Sequence, residues 1–496
     1  MTLTPSSMTA IRFGYGLGSA SAADDAETLI AELEPARRQV PLFPLGGAQQ
    51  RLADIRNYLQ EQKRLNQMKA AGESDAEPKK ALRSQAQALF RKDAMARIAQ
   101  AVTSPYAFHE RLASFWINHF TVGAGKTPVM LLMVPHFEAV AIRPYLSGSF
   151  RELVAAASLH PAMLTFLDQA KSVGPNSPVG KRRGSEGSNE NFARELMELH
   201  TLGVDAGYSQ EDVQQLALLL TGLAIDPMTG ETRFEQRRAE PGQFTVLGKV
   251  YQRSDVPFAD ARLVFDDLSR DPRTIKHIST QLASHFISEP PPAAVVEAMA
   301  RRWEDTDGDL TAIYRAMLGE PMSWEAAGSK IKMPLDYVVS SLKALDADEA
   351  VLLKASTVGP APRQDVMADG DAAMDGMMQP KGQGEPTPKG GAKRQPLAGH
   401  ALRALTDLGQ PLWRASNAAG FDDESQSWLS PSQISERIAW ARRAIGYLGA
   451  GRDPREFVET TLADFARDDT ILVVGQAPNR QAGLLAALAS PEFNRR

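Results

Sequence analysis

Four histidines occupy positions where helical spacing calls for apolar side chains. In SPYAFHERLASFWINHF (104–120), Phe108, Leu112, Phe115 and His119 fall on one stripe. In SFRELVAAASLHPAM (149–163), Leu153, Ala156 and His160 do, and in NENFARELMELHTLG (189–203), Ala193, Leu196, Met197 and His200 do. In IKHISTQLASHF (275–286) the stripe is Ile278, Leu282 and His285. Each histidine lies near the C-terminal end of its helix. Two chemistries fit that placement. An imidazole there can bond the last free carbonyls and sit well in the negative end of the helix dipole. If several of these ends meet, neutral imidazoles form a dry pocket suited to zinc or another divalent transition metal, with His119, His160 and His200 as ligands.

The opposite face of 189–203 carries Asn191, Arg194, Glu195 and Glu198. Glu190, Arg194 and Glu198 are spaced four apart, as in a solvated charged stripe. If both faces are buried instead, Glu195 and Glu198 with His200 form an acid–base set, and Arg194 is their counter-ion. Glu138, after Pro135, stands at an expected helix start, with Arg143 five residues on. The spacing also predicts Ser188 as N-cap of the 189–202 helix and a carbonyl partner for the ring of His200.

Other motifs fail. FGYGLG (13–18) has no preceding strand and reads as a turn, not a dinucleotide fingerprint. DTDGD (305–309) has its glycine in the wrong place for a calcium loop, so Asp309 is expected to cap the next helix. The methionines of 367–378 belong to a low-complexity stretch.

The elements that must position these residues are mostly helices. Periodicity predicts helices at 24–35, 46–62, 79–102, 105–121, 135–143, 149–160, 189–202, 210–222, 274–286, 293–303, 309–317 and 334–345. The segment 232–252 alternates instead and predicts a small β-hairpin or two short strands. The fold class is therefore mainly α, a multi-helix bundle with a small β insertion near 232–252. The expected organisation is an N-terminal helical region (1–103), a core domain (104–350), a disordered linker (357–400) rich in Gly, Pro and charge, and a C-terminal helical region (401–496) packing on the core.

Bulk composition narrows the functional classes. The 496 residues contain no cysteine, which removes disulfides, thiolate metal sites and cysteine nucleophiles. A net charge of −5 offers no basic face for nucleic acid. No stretch is long and apolar enough to span a membrane. No signal peptide is visible at the start, so a cytoplasmic location is the default expectation.

Taken together, NENFARELMELHTLGVDAGYSQEDV (189–213), ERLASFWINHFTV (110–122), HFEAVAIRPYLSGSFRELV (136–154), HPAML (160–164) and LASPEFNRR (488–496) resemble the bacterial domain-of-unknown-function-1800 family. The resemblance implies a largely helical protein of uncharacterised role. It implies special roles for Trp116, His119, Glu138, Arg143, His160, Asn189, Asn191, Arg194, Glu195, Glu198 and His200. Of these, Trp116, Glu138, Arg143, Asn191 and Arg194 are the expected ligand-binding positions. The resemblance also implies a neighbour: family members are often encoded beside a sulfatase-like exported protein of the domain-of-unknown-function-1501 family, which gives periplasmic co-export as the alternative location. Ala239-Glu240 stands where the family commonly has a His-acid pair, and Leu223 where it commonly has Trp. Two functions follow as expectations. One is a binding or accessory partner of an exported protein. The other is a hydrolase-type or metal-dependent enzyme with a His/Glu pocket.

Overall fold

In a computed structural model, the described residues are 4–18, 25–183, 188–325, 328, 330–354 and 396–496. The principal helices are α1 (Gly47–Ala70), α2 (Ala76–Thr103), α3 (Ala107–His119), α4 (Met130–Phe137), α5 (Phe150–Leu159), α6 (Pro161–Phe166), α7 (Asn191–Glu195) and α8 (Gln210–Leu219). After the strands come α9 (Ala259–Arg270), α10 (Pro272–Phe286), α11 (Ala293–Thr306), α12 (Leu310–Gly319) and α13 (Pro334–Ala344). The last group is α14 (Leu397–Asp407), α15 (Pro431–Leu448), α16 (Pro454–Thr461), α17 (Asp468–Gly475) and α18 (Arg480–Ala489).

The mainly-α class holds, and the β insertion is two small sheets. Strand β1 (Leu223–Ile225) pairs antiparallel with β2 (Thr232–Phe234), and β3 (Gln243–Val246) with β4 (Lys249–Gln252). The second pair turns through Leu247 and Gly248, both at positive φ, as a tight hairpin requires. Helix α9 is absent from the expected helices, although its apolar residues recur at helical spacing and Asp266 and Asp267 lie off that stripe. Its Ala261, Val264, Phe265 and Leu268 are nevertheless buried.

Several boundaries differ for clear reasons. Pro135 does not start a helix. It lies inside α4, which runs on into a π-turn over Glu138–Ile142. A proline in a helix interior withholds one N–H from the ladder, and a wider turn follows. Asp309 does cap α12, accepting from the Ala312 amide at 2.7 Å. The linker expected over 357–400 falls, up to residue 395, outside the described residues. Its last residues are helical, since α14 begins at Leu397, which is buried with Ala398 and Ala401.

Two large hydrophobic clusters organise the described residues, beside a small one of Ile331, Met333 and Trp428. The larger joins Leu29, Ile55, Phe90, Trp116, Phe150, Met197, Phe265 and Trp303. The second joins Val338, Leu342, Leu405, Trp440, Phe457 and Leu488. Helix α2 serves both: Phe90 and Ala94 belong to the first, Ile98 and Val102 to the second. The N-terminal helices thus contribute to the main core, and α13 packs with the C-terminal helices. Among the described residues no helix is long and apolar enough to cross a membrane.

Candidate functional site

The stretch 189–203 folds differently at both ends from its expected form. Its N-cap is Glu190, without a side-chain cap, and not Ser188; Asn189, one residue before, accepts from the Asn191 amide through Oδ1 at 3.0 Å. Its last turn widens into a π-turn over Leu196–His200. Gly203, at φ +99°, closes the chain, and a Cβ there would lie 2.9 Å from Nδ1 of His277. Only glycine meets both conditions.

The His200 ring is completely buried, as expected, but no carbonyl meets it. Neither Nδ1 nor Nε2 has a hydrogen-bond partner. The widened turn instead points the His200 carbonyl at His119, whose Nε2 lies 3.3 Å away. The two rings are 5.9 Å apart. His119 Nδ1 faces the Gln281 side-chain amide at 3.0 Å. Burial, then the neighbouring His200 and His277, hold His119 well below the ordinary imidazole range, so it is neutral. Both nitrogens face oxygens, the His200 carbonyl at Nε2 and Gln281 Oε1 at Nδ1, and the neutral ring has one N–H to donate to one of them.

His119 lies on the wall of a cleft of about 700 Å³ between α3, α10 and the segment 410–423. His277, Gln281 and His285, at i, i+4 and i+8 of α10, line it as well. His277 is lowered by burial, partly offset by a hydrogen bond to the Leu199 backbone, and its Nε2 is buried without a partner. The 410–423 segment is fastened by Asn118, which donates to the Phe421 carbonyl and accepts from the Phe421 amide, both at 2.8 Å. Gly420, at φ +77°, permits this contact, because a Cβ would come within 2.5 Å of the Asn118 carbonyl oxygen.

One wall of the cleft is backed by a closed ring of charges. His285 Nδ1 is 2.9 Å from Asp423, Asp423 is 3.3 Å from Arg496, and Arg496 is 2.6 Å from Asp336. Asp336 pairs with Arg111, and Arg111 returns to His285 Nε2 at 3.3 Å. Lys330 joins Asp423 at 2.8 Å and Glu289 at 2.5 Å. Burial would raise the Asp423 carboxyl, but His285 and Lys330 hold it far below the usual range.

The other expected site residues lie elsewhere. His160 accepts from the Ala162 amide at 3.1 Å and so caps α6. Its Nε2 therefore carries the proton and donates to His136 Nδ1 at 3.0 Å. The structure pairs His119 with His200 and His160 with His136. Among the described residues no group of three or more histidine or acidic side chains is placed to hold a metal ion. Trp116 is buried and donates to the Tyr314 hydroxyl at 2.7 Å.

Glu138 and Arg143 belong to a closed buried network. Glu138 accepts from Arg97 at 2.7 Å, Arg143 at 3.1 Å and Trp413 at 2.7 Å. Glu110 accepts from Arg143 at 2.9 and 2.6 Å, and from Gln100 at 2.9 Å. Burial pushes Glu110 up, but Arg143 and Arg97 overcome it and hold it at about 2. Two guanidinium groups and two carboxylates balance, and a ligand would have to break their mutual bonds.

The polar face of α7 is half in solvent. Arg194 is 3.4 Å from Glu198 and 3.5 Å from Glu190, with side-chain exposures of 36%, 24% and 34%. Asn191 is exposed. Burial and then Glu198 raise Glu195, but neither glutamate lines the cleft. Asp423, Arg111 and Arg496 were not singled out in the sequence, although Arg111 and Arg496 lie within the quoted stretches 110–122 and 488–496, because their pairing joins positions far apart in the chain. The repeat His277-Gln281-His285 was visible as helical spacing.

A family model described as a protein of unknown function (DUF1800) matches residues 9–495. No curated protein and no solved structure matches the chain.

Proposed function

The chain belongs to that family of proteins of unknown function, and we propose that it is a binding protein whose ligand is a small polar molecule held in the cleft beside His119. One observation carries this reading. The imidazoles on the cleft wall hold no lone pair out to it: both His119 nitrogens are covered by protein oxygens, both His285 nitrogens are paired, and His277 Nε2 is buried. A general base needs a lone pair within reach of substrate. The amide and hydroxyl side chains beside them do have spare capacity, as a binding site requires.

Such a protein would act as an accessory to an exported partner, of the sulfatase-like kind that the family resemblance implies. Ile471, Leu472 and Val473 support a protein contact, since these consecutive residues of α17 are 50%, 57% and 59% exposed. Co-export with that partner would take the chain to the periplasm; alone it would stay in the cytoplasm.

An enzyme is the second reading, favoured by Gln281. Rotation of that one side chain would bare His119 Nδ1 to the cleft, and resting geometry of this kind often changes when substrate arrives. Thermal-shift screening of small polar metabolites separates the two. The expected result is a compound that raises the melting temperature and is recovered chemically unchanged. Conversion of the compound, stopped by His119→Gln, would establish the enzyme instead. A screen without any stabilising compound would end both.

A further inference from the structure

We infer that the cleft takes a neutral, polyhydroxylated ligand of the saccharide type and rejects anionic ones; this rests on the small-ligand reading above and names its class.

The polar groups of the wall come in two kinds. Gln410 Oε1 accepts from the Leu335 amide at 2.8 Å, and Asn417 Oδ1 from the Ala419 amide at 3.1 Å. Those backbone donors fix which end of each amide is oxygen. Both NH2 groups are left without a protein acceptor among the described residues, and the Ser284 hydroxyl is likewise unused. Asp336 and Asp423 line the same cleft as acceptors. A ligand that satisfies both kinds must accept from amide N–H groups and donate to carboxylates. An sp³ hydroxyl does both at once.

Charge argues against an anion. Among the described residues no lysine or arginine lines the cleft. Arg111, Arg496 and Lys330 stand behind the wall, at 1–2% side-chain exposure, each turned onto a carboxylate. Their three positive charges are matched by Asp336, Asp423 and Glu289, and Asp422 on the cleft wall adds a further carboxylate, so the cleft offers an anion no net attraction. The carboxylate oxygens at the front would repel one. Phe115 and Phe421 add apolar surface for the C–H faces of a sugar ring. About 700 Å³ accommodates one or two such rings.

Saturation-transfer NMR on the full chain tests this with matched probes: cellobiose, maltose and N-acetylglucosamine against glucose 6-phosphate and glucuronate. The neutral sugars should show transfer and the anionic ones little. Asn417→Asp keeps the acceptor for Ala419 but removes the free NH2 and adds charge. It should weaken the neutral ligand at least tenfold, with the melting temperature nearly unchanged, and Ser284→Ala should weaken it in the same direction. Preference for the anionic members would overturn the inference, as would neutral binding indifferent to both substitutions. If no sugar binds but another compound still shifts the melting temperature, the saccharide class is wrong and the small-ligand reading stands. If nothing shifts it, both are wrong.

Discussion

The Nε2 of His119 lies 3.3 Å from the carbonyl oxygen of His200, while the ring nitrogens of His200 have no hydrogen-bond partner among the described residues. The main chain of one histidine orients the side chain of the other. The ring of His200 fills space, 5.2 Å from the Phe120 ring and tilted to it by 53°.

This arrangement predicts an unusual sign for a core substitution. Two unpartnered nitrogens in a dry site cost stability, and an apolar group of similar shape removes that cost. His200→Leu should leave stability unchanged or raise it by about 1 kcal/mol in urea melts, because the carbonyl that serves His119 remains. A loss well beyond that would reveal a partner for the ring.

Arg194→Ala should cost less than about 1 kcal/mol, since its pairs with Glu190 and Glu198 are screened by solvent. Denaturant melts at low and high salt check it, and a loss of several kcal/mol would mean that this face is covered.

Arg143→Ala should behave oppositely. Glu110 and Glu138, both fully buried, would share only Arg97. A loss of about 3–5 kcal/mol is expected from stranding a buried carboxylate. Arg143→Lys should recover little, since a single ammonium cannot span both glutamates as the guanidinium does. A change under about 1 kcal/mol in either variant would contradict a closed network.

Acid should unfold the protein early. Burial lowers His109 and His136 from 6.5 to about 4, and His200 to about 3. These bases have depressed folded values, so below pH 6.5 the unfolded chain binds protons that the folded chain refuses. Their contribution is complete above about pH 6.5, and is lost as pH falls toward 4 and then 3. Each adds a slope of about 1.4 kcal/mol per pH unit within its window. Urea melts at pH 7, 6 and 5 should show this fall, and His136→Gln should flatten it. Stability that is constant to pH 5 would show that these rings are hydrated.

Much of the fold was legible because amphipathic helices announce themselves by period. The burial of His119, His160 and His200 followed from their stripes. What the stripes face did not. His160 and His200 have the same local pattern, yet one caps a helix beside His136 and the other ends a π-turn beside His119. A π-turn has no sequence period of its own, and Pro135 signalled one only in retrospect. The solvation of Arg194 was undecidable from spacing, since i,i+4 pairs look alike on wet and dry faces. The cleft was least legible of all, because Asp336, Asp423 and Arg496 meet only after the chain has folded back on itself.

Helix α2 contributes one set of side chains to each large hydrophobic cluster along its 28 residues. At 1.5 Å per residue it is a rod of about 42 Å. Neither cluster can mature without it, and each needs partners from distant parts of the chain. Such sequence-distant closure slows the search for the native state. The two clusters should therefore gain order together, late and in a single kinetic phase, with α2 as the template on which both condense. Calorimetry would then record one endotherm where two independent hydrophobic centres would give two.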